Sequence, residues 1–266
     1  MIPSGIITLT TDFGETDPYV AVMKGVILSI NPDAKIVDLT HQVPAGSIQK
    51  GALMIKEVYP YFPAGTVHLG VIDPGVGGER RPIAIQAGDH CFVGPDNGLF
   101  WPVIEKQTDL SVIHLTNKKY WMNKVSPTFH GRDIFAPISA HLSMGANPFL
   151  LGEKIHNPIT LDYPLALEKS GNLIGEIIKV DNFGNLITNI TREQLSPFIA
   201  SKGLTIKIGD LILKEISTTY SDVPKGSPLA LIGSSNLLEI AVNMGNVVNF
   251  LGRKCKIGTK VIVTLS

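Results

Sequence analysis

The segment 71–80, VIDPGVGGER, places an acidic and a basic side chain at the two ends of a glycine-rich loop. An apolar run ends at Asp73, and Arg80 follows the glycines. Asp, Pro and Gly are ordinary turn residues, so the segment could be a bare turn closed by a weak surface ion pair. It does not match a phosphate-binding loop, because it lacks the GK[ST] ending and the third glycine of GxGxxG and leads into a strand. The loop can instead fold back so that Arg80 meets Asp73.

Two further segments of the N-terminal half carry candidate polar groups. Asp12, in TTDFGETDP, ends an apolar run, where an acid is well placed to accept hydrogens from two hydroxyls such as a ribose diol. Asp17, in the same segment, is interpreted as the N-cap of the following helix. His130, in SPTFHGRDIFAP, precedes another helix. It could be a structural hydrogen-bonding group or a catalytic one, and Arg132 and Asp133 could fix its tautomer.

Polar side chains also recur in two strand-like segments of the C-terminal half, VDNFGNLITN (180–189) and GSSNLLEIAVNMGN (233–246). The first could be a simple hairpin turn. Amide, hydroxyl and carboxyl groups on two separate strands are nevertheless typical of a polar recognition surface. The residues that we expect to contact a substrate there are Asp181, Asn185, Ser234, Glu239 and Asn243.

The acids and histidines of the N-terminal half would also permit a metal site, with Asp12, His41, Asp73 and His130 as ligands. The sequence contains no HxH, HxD or HExxH pairing, and its two cysteines lie far apart and outside any CxxC pattern. We therefore expect a protein without a bound metal or cofactor.

The elements that must position these groups alternate between strands and helices in the N-terminal half. Residues 6–13, 34–40 and 66–73 are apolar strand-like runs, and apolar side chains recur at helical spacing between them. This order predicts a mainly parallel sheet with right-handed crossovers, in which ligands bind beyond the carboxyl ends of the strands. Asp12, His41 and Asp73 fall at such ends.

The chain is predicted to contain two domains. Residues 1–157 form an α/β domain whose last helix covers 131–145. Residues 158–172 are polar, contain proline and are interpreted as a linker. Residues 173–266 contain short alternating strands separated by turn residues, which predicts a smaller all-β, barrel-like domain.

The composition limits the classes of partner. The 266 residues have zero formal net charge and are 44% hydrophobic, which indicates a globular protein whose main partner is neither nucleic acid nor an anionic membrane. No apolar run approaches the ~20 residues of a membrane span, and the first residues lack the basic region of a signal peptide. The chain has only two cysteines, Cys91 and Cys255, far apart in the sequence, so we expect a protein of the reducing cytoplasm.

Seven segments carry a family resemblance along nearly the whole chain. In order, they are TTDFG, DLTH, DPGVGGER, FVGPDNGL, TFHGRDIFAP, DNFGNLITN and GSSNLLEIAVN. Together they resemble the S-adenosyl-L-methionine hydroxide adenosyltransferases, which are related to the halogenating fluorinase and chlorinase. The resemblance implies an α/β domain followed by a β-barrel domain, and cleavage of S-adenosyl-L-methionine by water to adenosine and L-methionine. It also implies a homotrimer whose active sites lie between the N-terminal domain of one subunit and the C-terminal domain of its neighbour.

The resemblance further implies roles for individual residues. Asp73, Arg80 and His130 match the hydrolytic triad of the family, and Asp12 matches the acid that binds the ribose. In the second domain, the matching positions are Asp181 and Ser234 for the methionine part and Asn185 for adenine.

Two positions depart from the related halogenases. At position 235 this chain has serine, where the halogenases look to have arginine. At position 73 it has aspartate, where they look to have tyrosine, and this second difference favours water over halide as the nucleophile. Arg80 would then offset negative charge on the attacking oxygen, Asp73 would orient Arg80 or the water, and His130 would complete the hydrogen bonds. Three other functions fit the same residues: a halogenase of this family, a metal-dependent hydrolase, and a protein that binds S-adenosyl-L-methionine or adenosine without turnover.

Overall fold

The computed structural model of the protein describes residues 2–201, 203–252 and 255–265. The chain divides into two compact units, one ending at Asp162 and the other beginning at Tyr163. Each unit has its own buried apolar core. Within the described part of the chain, no helix has the length and apolar character needed to cross a membrane.

The first unit is built on a seven-stranded mixed sheet with the strand order β2-β1-β3-β5-β4-β6-β7. The strands are β1 (Ile6–Thr11), β2 (Lys35–Thr40), β3 (Val67–Val71), β4 (Pro82–Ala87), β5 (His90–Pro95), β6 (Leu110–His114) and β7 (Glu153–Ile155). The pairs β2-β1, β1-β3 and β3-β5 are parallel, and the remaining pairs are antiparallel. The predicted α/β class is thus confirmed, with a parallel half that contains the strands preceding Asp12 and Asp73.

Helices cover both faces of this sheet. They are α1 (Tyr19–Ile30), α2 (Ile48–Val58), α3 (Trp101–Ile104) and α4 (Ala136–Ser143). Ile7 of β1 shares one buried core with Met23 of α1 and Ile138 of α4. Ile85 of β4 belongs to a second core with Ile55 of α2. Because strand side chains alternate between the two faces of the sheet, β4 contributes Ala84 to the first core and Ile85 to the second.

The start of α1 differs from the sequence-based expectation. The N-cap position is occupied by Pro18, and no side chain caps the helix, so the predicted cap by Asp17 is wrong. The carbonyl of Pro18 accepts a hydrogen bond of 2.9 Å from Val22 N, as the first turn requires. Proline can occupy this position because its ring fixes φ near the helical value.

The helix predicted over 131–145 is also interrupted. Gly131–Phe135 forms a π-helical turn, and α4 begins only at Ala136. Pro137 has no N–H group and cannot bond the carbonyl of Asp133, which instead accepts a hydrogen bond from Met122 N at 2.9 Å. The wider turn directly follows His130, which stands at its N-cap.

The second unit is an antiparallel sheet with the path β12-β11-β15-β9-β10-β14-β13, on which β8 pairs with β9. Its strands are β8 (Leu167–Lys169), β9 (Asn172–Val180), β10 (Leu186–Thr191), β11 (Leu204–Ile208), β12 (Leu211–Leu213), β13 (Pro228–Ile232), β14 (Leu237–Val242) and β15 (Lys260–Leu265). Two short helices accompany it, α5 (Arg192–Ile199) and α6 (Val247–Leu251). The edge strands β12 and β13 contact each other, which makes the sheet barrel-like and confirms the predicted class of this domain.

Much of the segment 158–172, expected to be a linker, has regular partners. Strand β8 lies inside it and pairs with β9. Nearer the first unit, Ile159 N donates to Asp96 Oδ1 at 2.8 Å, and Arg81 donates to the carbonyl of Asn157 at 2.7 Å. Hydrogen bonds to the first unit therefore fasten the beginning of this segment.

Candidate active site

The centre of the candidate site is a doubly hydrogen-bonded ion pair between Asp73 and Arg80. Asp73 lies just beyond the carboxyl end of β3, and Arg80 precedes β4. Arg80 Nε lies 3.0 Å from each oxygen of Asp73, and a terminal nitrogen of the guanidinium lies 2.5 Å from Oδ2. The two side chains are only 10% and 5% exposed. The ion pair between Asp73 and Arg80 is therefore largely buried, unlike the exposed and weak surface pair that was the alternative interpretation of the sequence.

The glycine-rich loop between these two residues brings a distant segment to them. Gly77 has φ +76°, and a Cβ there would overlap the carbonyl oxygen of Pro127. Only glycine allows this close approach of two backbones. Pro127 precedes His130 by three residues, so the contact of the two loops brings the histidine next to Arg80.

His130 completes a chain of three hydrogen-bonded side chains. A terminal nitrogen of Arg80 lies 2.7 Å from His130 Nδ1. Because a guanidinium can only donate, Nδ1 must accept, and the neutral ring then carries its proton on Nε2. Burial lowers the pKa of His130 and the Arg80 guanidinium lowers it further, against the opposite effects of Asp73 and Asp133. The site thus holds a neutral imidazole with an N–H donor at Nε2.

Arg132 and Asp133 have a different role from the one expected. The Asp133 side chain is 1% exposed and accepts hydrogen bonds from Arg132 Nε at 2.6 Å and from Ser126 N at 2.8 Å. These bonds fix the segment from Ser126 to Asp133 on which His130 lies. The hydrogen bond that sets the His130 tautomer comes from Arg80 instead.

Asp12 lies at the same edge of the sheet. It follows β1 directly, and its Oδ2 accepts a hydrogen bond of 2.7 Å from Gly46 N. A Cβ on Gly46 would lie in ordinary contact, 3.7 Å, with Cβ of Pro74. The turn at Gly46 therefore connects Asp12 to the loop that holds Asp73 and Arg80.

His41, a ligand in the alternative metal hypothesis, has structural partners of its own. Its ring is buried, with Nδ1 2.8 Å from Thr11 Oγ1 and Nε2 3.0 Å from Asp38 Oδ1. Its carbonyl accepts a hydrogen bond of 2.8 Å from Gly14 N. His41 thus fastens the loop after Asp12. Across the described ranges, no three His, Cys, Asp or Glu side chains group as metal ligands.

Three aromatic rings, which the sequence analysis did not single out, pack against one another. The centroids of Phe13 and Tyr19 are 5.7 Å apart, and Phe129 lies 6.0 Å and 5.2 Å from them. Phe13 follows Asp12 and Phe129 precedes His130 in the chain. The only sequence signal for these rings was the phenylalanine next to Asp12 and the phenylalanine next to His130.

In the second unit, Asp181 and Asn185 form one compact turn. Asp181 Oδ1 accepts hydrogen bonds from Phe183 N at 2.9 Å and Asn185 N at 2.8 Å, and Oδ2 accepts from Asn185 Nδ2 at 3.0 Å. Asn185 is 6% exposed, so most of its surface is committed to this turn. The structure therefore brings together these two residues, which the sequence placed on one segment.

The remaining three candidates lie on or beside β14. Ser234 is exposed in the turn between β13 and β14. Glu239 is buried and accepts a hydrogen bond of 2.5 Å from the Tyr220 hydroxyl, and Asn243 Nδ2 donates to the carbonyl of Val223 at 2.7 Å. Burial and the charge of Asp181 raise the pKa of Glu239, whereas the Tyr220 hydrogen bond opposes this. Glu239 and Asn243 are thus both bonded to the segment before β13.

Two family models match this chain. The model described as the SAM hydroxide adenosyltransferase N-terminal domain matches residues 7–152. The model of the corresponding C-terminal domain matches residues 175–261. The candidate groups of the first unit fall in the first match, and those of the second unit fall in the second.

Curated relatives cover nearly the whole chain. An (R)-S-adenosyl-L-methionine hydrolase of Thermus thermophilus is 38% identical over 92% of this chain and 94% of its own length. One of Salinispora tropica is 36% identical over 95% of each chain. A fluorinase of Nocardia brasiliensis is more distant, at 28% identity over 97% of each chain. Among solved structures, a conserved protein of Thermotoga maritima superposes with a TM-score of 0.88 at 34% identity, over 97% of this chain and 99% of that one.

The hydrogen-bonded triad can be tested through the ionisation of His130. Arg80→Met should raise the pKa of His130, because the substitution removes a cationic neighbour. Asp73→Asn should lower it, because a carboxylate that favours the charged ring is lost. Proton NMR titration of the ring signals measures both changes, with exposed His156 as an internal reference. Shifts of the same sign in the two variants would contradict the arrangement.

Proposed function

Because the chain belongs to the SAM hydroxide adenosyltransferase family, we propose that it hydrolyses (R)-S-adenosyl-L-methionine to adenosine and L-methionine. The observation that carries this proposal is the chain of hydrogen bonds from Asp73 through Arg80 to His130. It provides an acceptor, a fixed positive charge and an N–H donor within one small volume.

The chemistry of the substrate determines what the protein must supply. The leaving group is a neutral thioether formed from a sulfonium, so its departure needs no general acid. The nucleophile is the difficulty, because forming free hydroxide at pH 7 from water of pKa ~15.7 costs about 12 kcal/mol. A site without a metal avoids most of this cost if it holds one water in line with the ribose C5′ and polarises it during attack.

The three residues of the triad suit this task in different ways. Arg80 offsets the negative charge that develops on the attacking oxygen. His130 already accepts at Nδ1 and carries its proton on Nε2, so it donates a hydrogen bond and does not take up the water proton. Asp73 has accepting lone pairs besides those used by Arg80, and it therefore orients the water and receives its proton as the C–O bond forms. A carboxylate at this position would also repel a halide, which favours hydrolysis over halogenation.

The remaining candidates are proposed to bind the substrate. The carboxylate of Asp12 accepts hydrogen bonds from the two ribose hydroxyls. Asp181 and Ser234 hold the methionine part, and the amide of Asn185 contacts adenine. No metal or cofactor takes part in this proposal.

We further propose a cytoplasmic homotrimer in which the first unit of one subunit and the second unit of its neighbour form each active site. Cys91 and Cys255 are both buried and are not joined in a disulfide, which is compatible with a reducing compartment. The division of the polar groups between two units makes a shared site possible.

The central test is turnover by protein freed of metal. Protein treated with EDTA should convert S-adenosyl-L-methionine to equal amounts of adenosine and methionine, separated by chromatography. Arg80→Ala should lower kcat/KM by roughly 100-fold or more, because it removes the charge that stabilises the transition state. Lys207→Ala, at an exposed lysine of β11, serves as the control. Turnover that requires added metal, or the absence of products above the uncatalysed rate, would refute the proposal.

The shared site predicts complementation between inactive subunits. Arg80→Ala and Asp181→Ala proteins should each have little activity. If they are dissociated, mixed equally and reassembled at random, about one site in four combines two intact halves. Activity near that fraction of the wild-type value is expected. No recovery in a mixture that mass spectrometry shows to contain mixed oligomers would contradict a site shared between subunits.

A further inference from the structure

Strand β14 and the turn after it carry two polar side chains that the sequence assigned to substrate contact but that have protein partners. Glu239 lies within β14, and Asn243 lies in the turn directly after it. Both bond to the segment 218–227, which lies between β12 and β13. Their shared partner suggests that they fasten this segment.

The Glu239 carboxylate connects two loops at once. Its Oε1 accepts the short hydrogen bond from Tyr220. Its Oε2 packs against the backbone of the turn between β13 and β14, since a Cβ on Gly233 would lie only 2.6 Å from it. Ser234 is the next residue of this turn. Glu239 therefore fixes Tyr220 and the turn that carries Ser234 relative to each other.

Asn243 fastens the other end of the same segment. Besides the bond from its side chain to Val223, its backbone N donates to the carbonyl of Ser227 at 3.0 Å, and its carbonyl accepts from Gly226 N at 2.8 Å. A capping box between Thr219 and Asp222 orders the turn that contains Tyr220. The capping box around Tyr220 and the bonds of Asn243 farther along the segment thus both restrain the segment that carries the Tyr220 hydroxyl.

The pairing of β10 with β14 places Glu239 beside the turn of Asp181 and Asn185, because Ile187, two residues after Asn185, lies opposite Glu239. Burial raises the pKa of both Tyr220 and Glu239, and the charge of Asp181 acts in the same direction. Two carboxyl groups and a phenol are therefore gathered near the turn of Asp181 and Asn185. This negative environment is complementary to a ligand part that carries positive charge, as the α-ammonium and sulfonium of S-adenosyl-L-methionine do.

We propose that Glu239 and Asn243 are positioning residues that hold Tyr220 and the turn of Ser234, and thereby shape the subsite for the amino-acid end of the substrate. This inference rests on the proposed function. In this inference Tyr220, which no motif singled out, connects Glu239 to that subsite through its hydroxyl hydrogen bond.

The experiment compares two ligands that differ in the amino-acid end. S-Adenosyl-L-homocysteine carries this end, whereas 5′-methylthioadenosine lacks it, and calorimetry measures the binding of each. Tyr220→Phe removes one hydroxyl and should weaken S-adenosyl-L-homocysteine about tenfold, or about 1.4 kcal/mol, while 5′-methylthioadenosine changes less than about twofold. With S-adenosyl-L-methionine, KM should rise and kcat should stay within about twofold. Tyr61→Phe, at an exposed tyrosine of the first unit, is the matched control.

Two further variants separate positioning from a general loss of structure. Glu239→Gln keeps an oxygen that accepts from Tyr220 and should weaken S-adenosyl-L-homocysteine less than Glu239→Ala. Adding Tyr220→Phe to Glu239→Ala should cause no further loss, because the shared hydrogen bond is already absent. Retained binding of 5′-methylthioadenosine shows that a variant is folded.

Unchanged binding in Tyr220→Phe, or equal weakening of both ligands, would overturn the inference. If the wild-type protein hydrolyses S-adenosyl-L-methionine in that case, the proposed function stands without it. If the wild-type protein binds neither ligand and forms no adenosine from S-adenosyl-L-methionine, the proposed function and the inference fail together.

Discussion

A guanidinium group has five donors and no acceptor, and this constraint determines the character of the candidate site. Arg80 donates to both oxygens of Asp73 and to Nδ1 of His130. The direction of each hydrogen bond is therefore fixed, and with it the tautomer of the histidine. Arg80 also lies over the buried ring of Phe135, 5.4 Å from the centroid, which restrains the guanidinium plane. A water molecule between these groups would meet one acceptor, one cation and one N–H donor.

The fold supports this arrangement through a few backbone contacts. Parallel strands end at one edge of the sheet, so Asp12 and Asp73 are neighbours by topology. His130 comes from a segment 50 residues beyond Arg80, and it reaches the site because Gly77 lets its loop approach Pro127 closely. The buried carboxylate of Asp133 then holds that segment in place. In the second unit, the hydrogen bonds of Glu239 and Asn243 hold the segment before β13 in place in the same way.

Sequence patterns predicted the parts of the molecule that depend on local periodicity. The apolar runs of β1 and β3 reflect burial on both faces of a parallel sheet, whereas the alternating pattern of strands such as β9 reflects burial of one face. The three-residue triad could be named only through the family resemblance, because neither spacing nor composition shows that Arg80 and His130 meet. Sequence patterns could not predict features that depend on the hydrogen-bond partners of single residues. The N-cap of α1 is Pro18 and not Asp17, and Glu239 and Asn243 bond to protein groups that no motif indicated.

The central claim is that a water molecule, polarised by Asp73 and Arg80, attacks the ribose C5′ of S-adenosyl-L-methionine. Single turnover in water enriched in oxygen-18, followed by mass spectrometry of the products, tests it most directly. The claim predicts one heavy oxygen per adenosine, located at the 5′ position, and none in methionine. Adenosine without the label, or label in methionine, would show that the bond is broken at another atom or by another nucleophile.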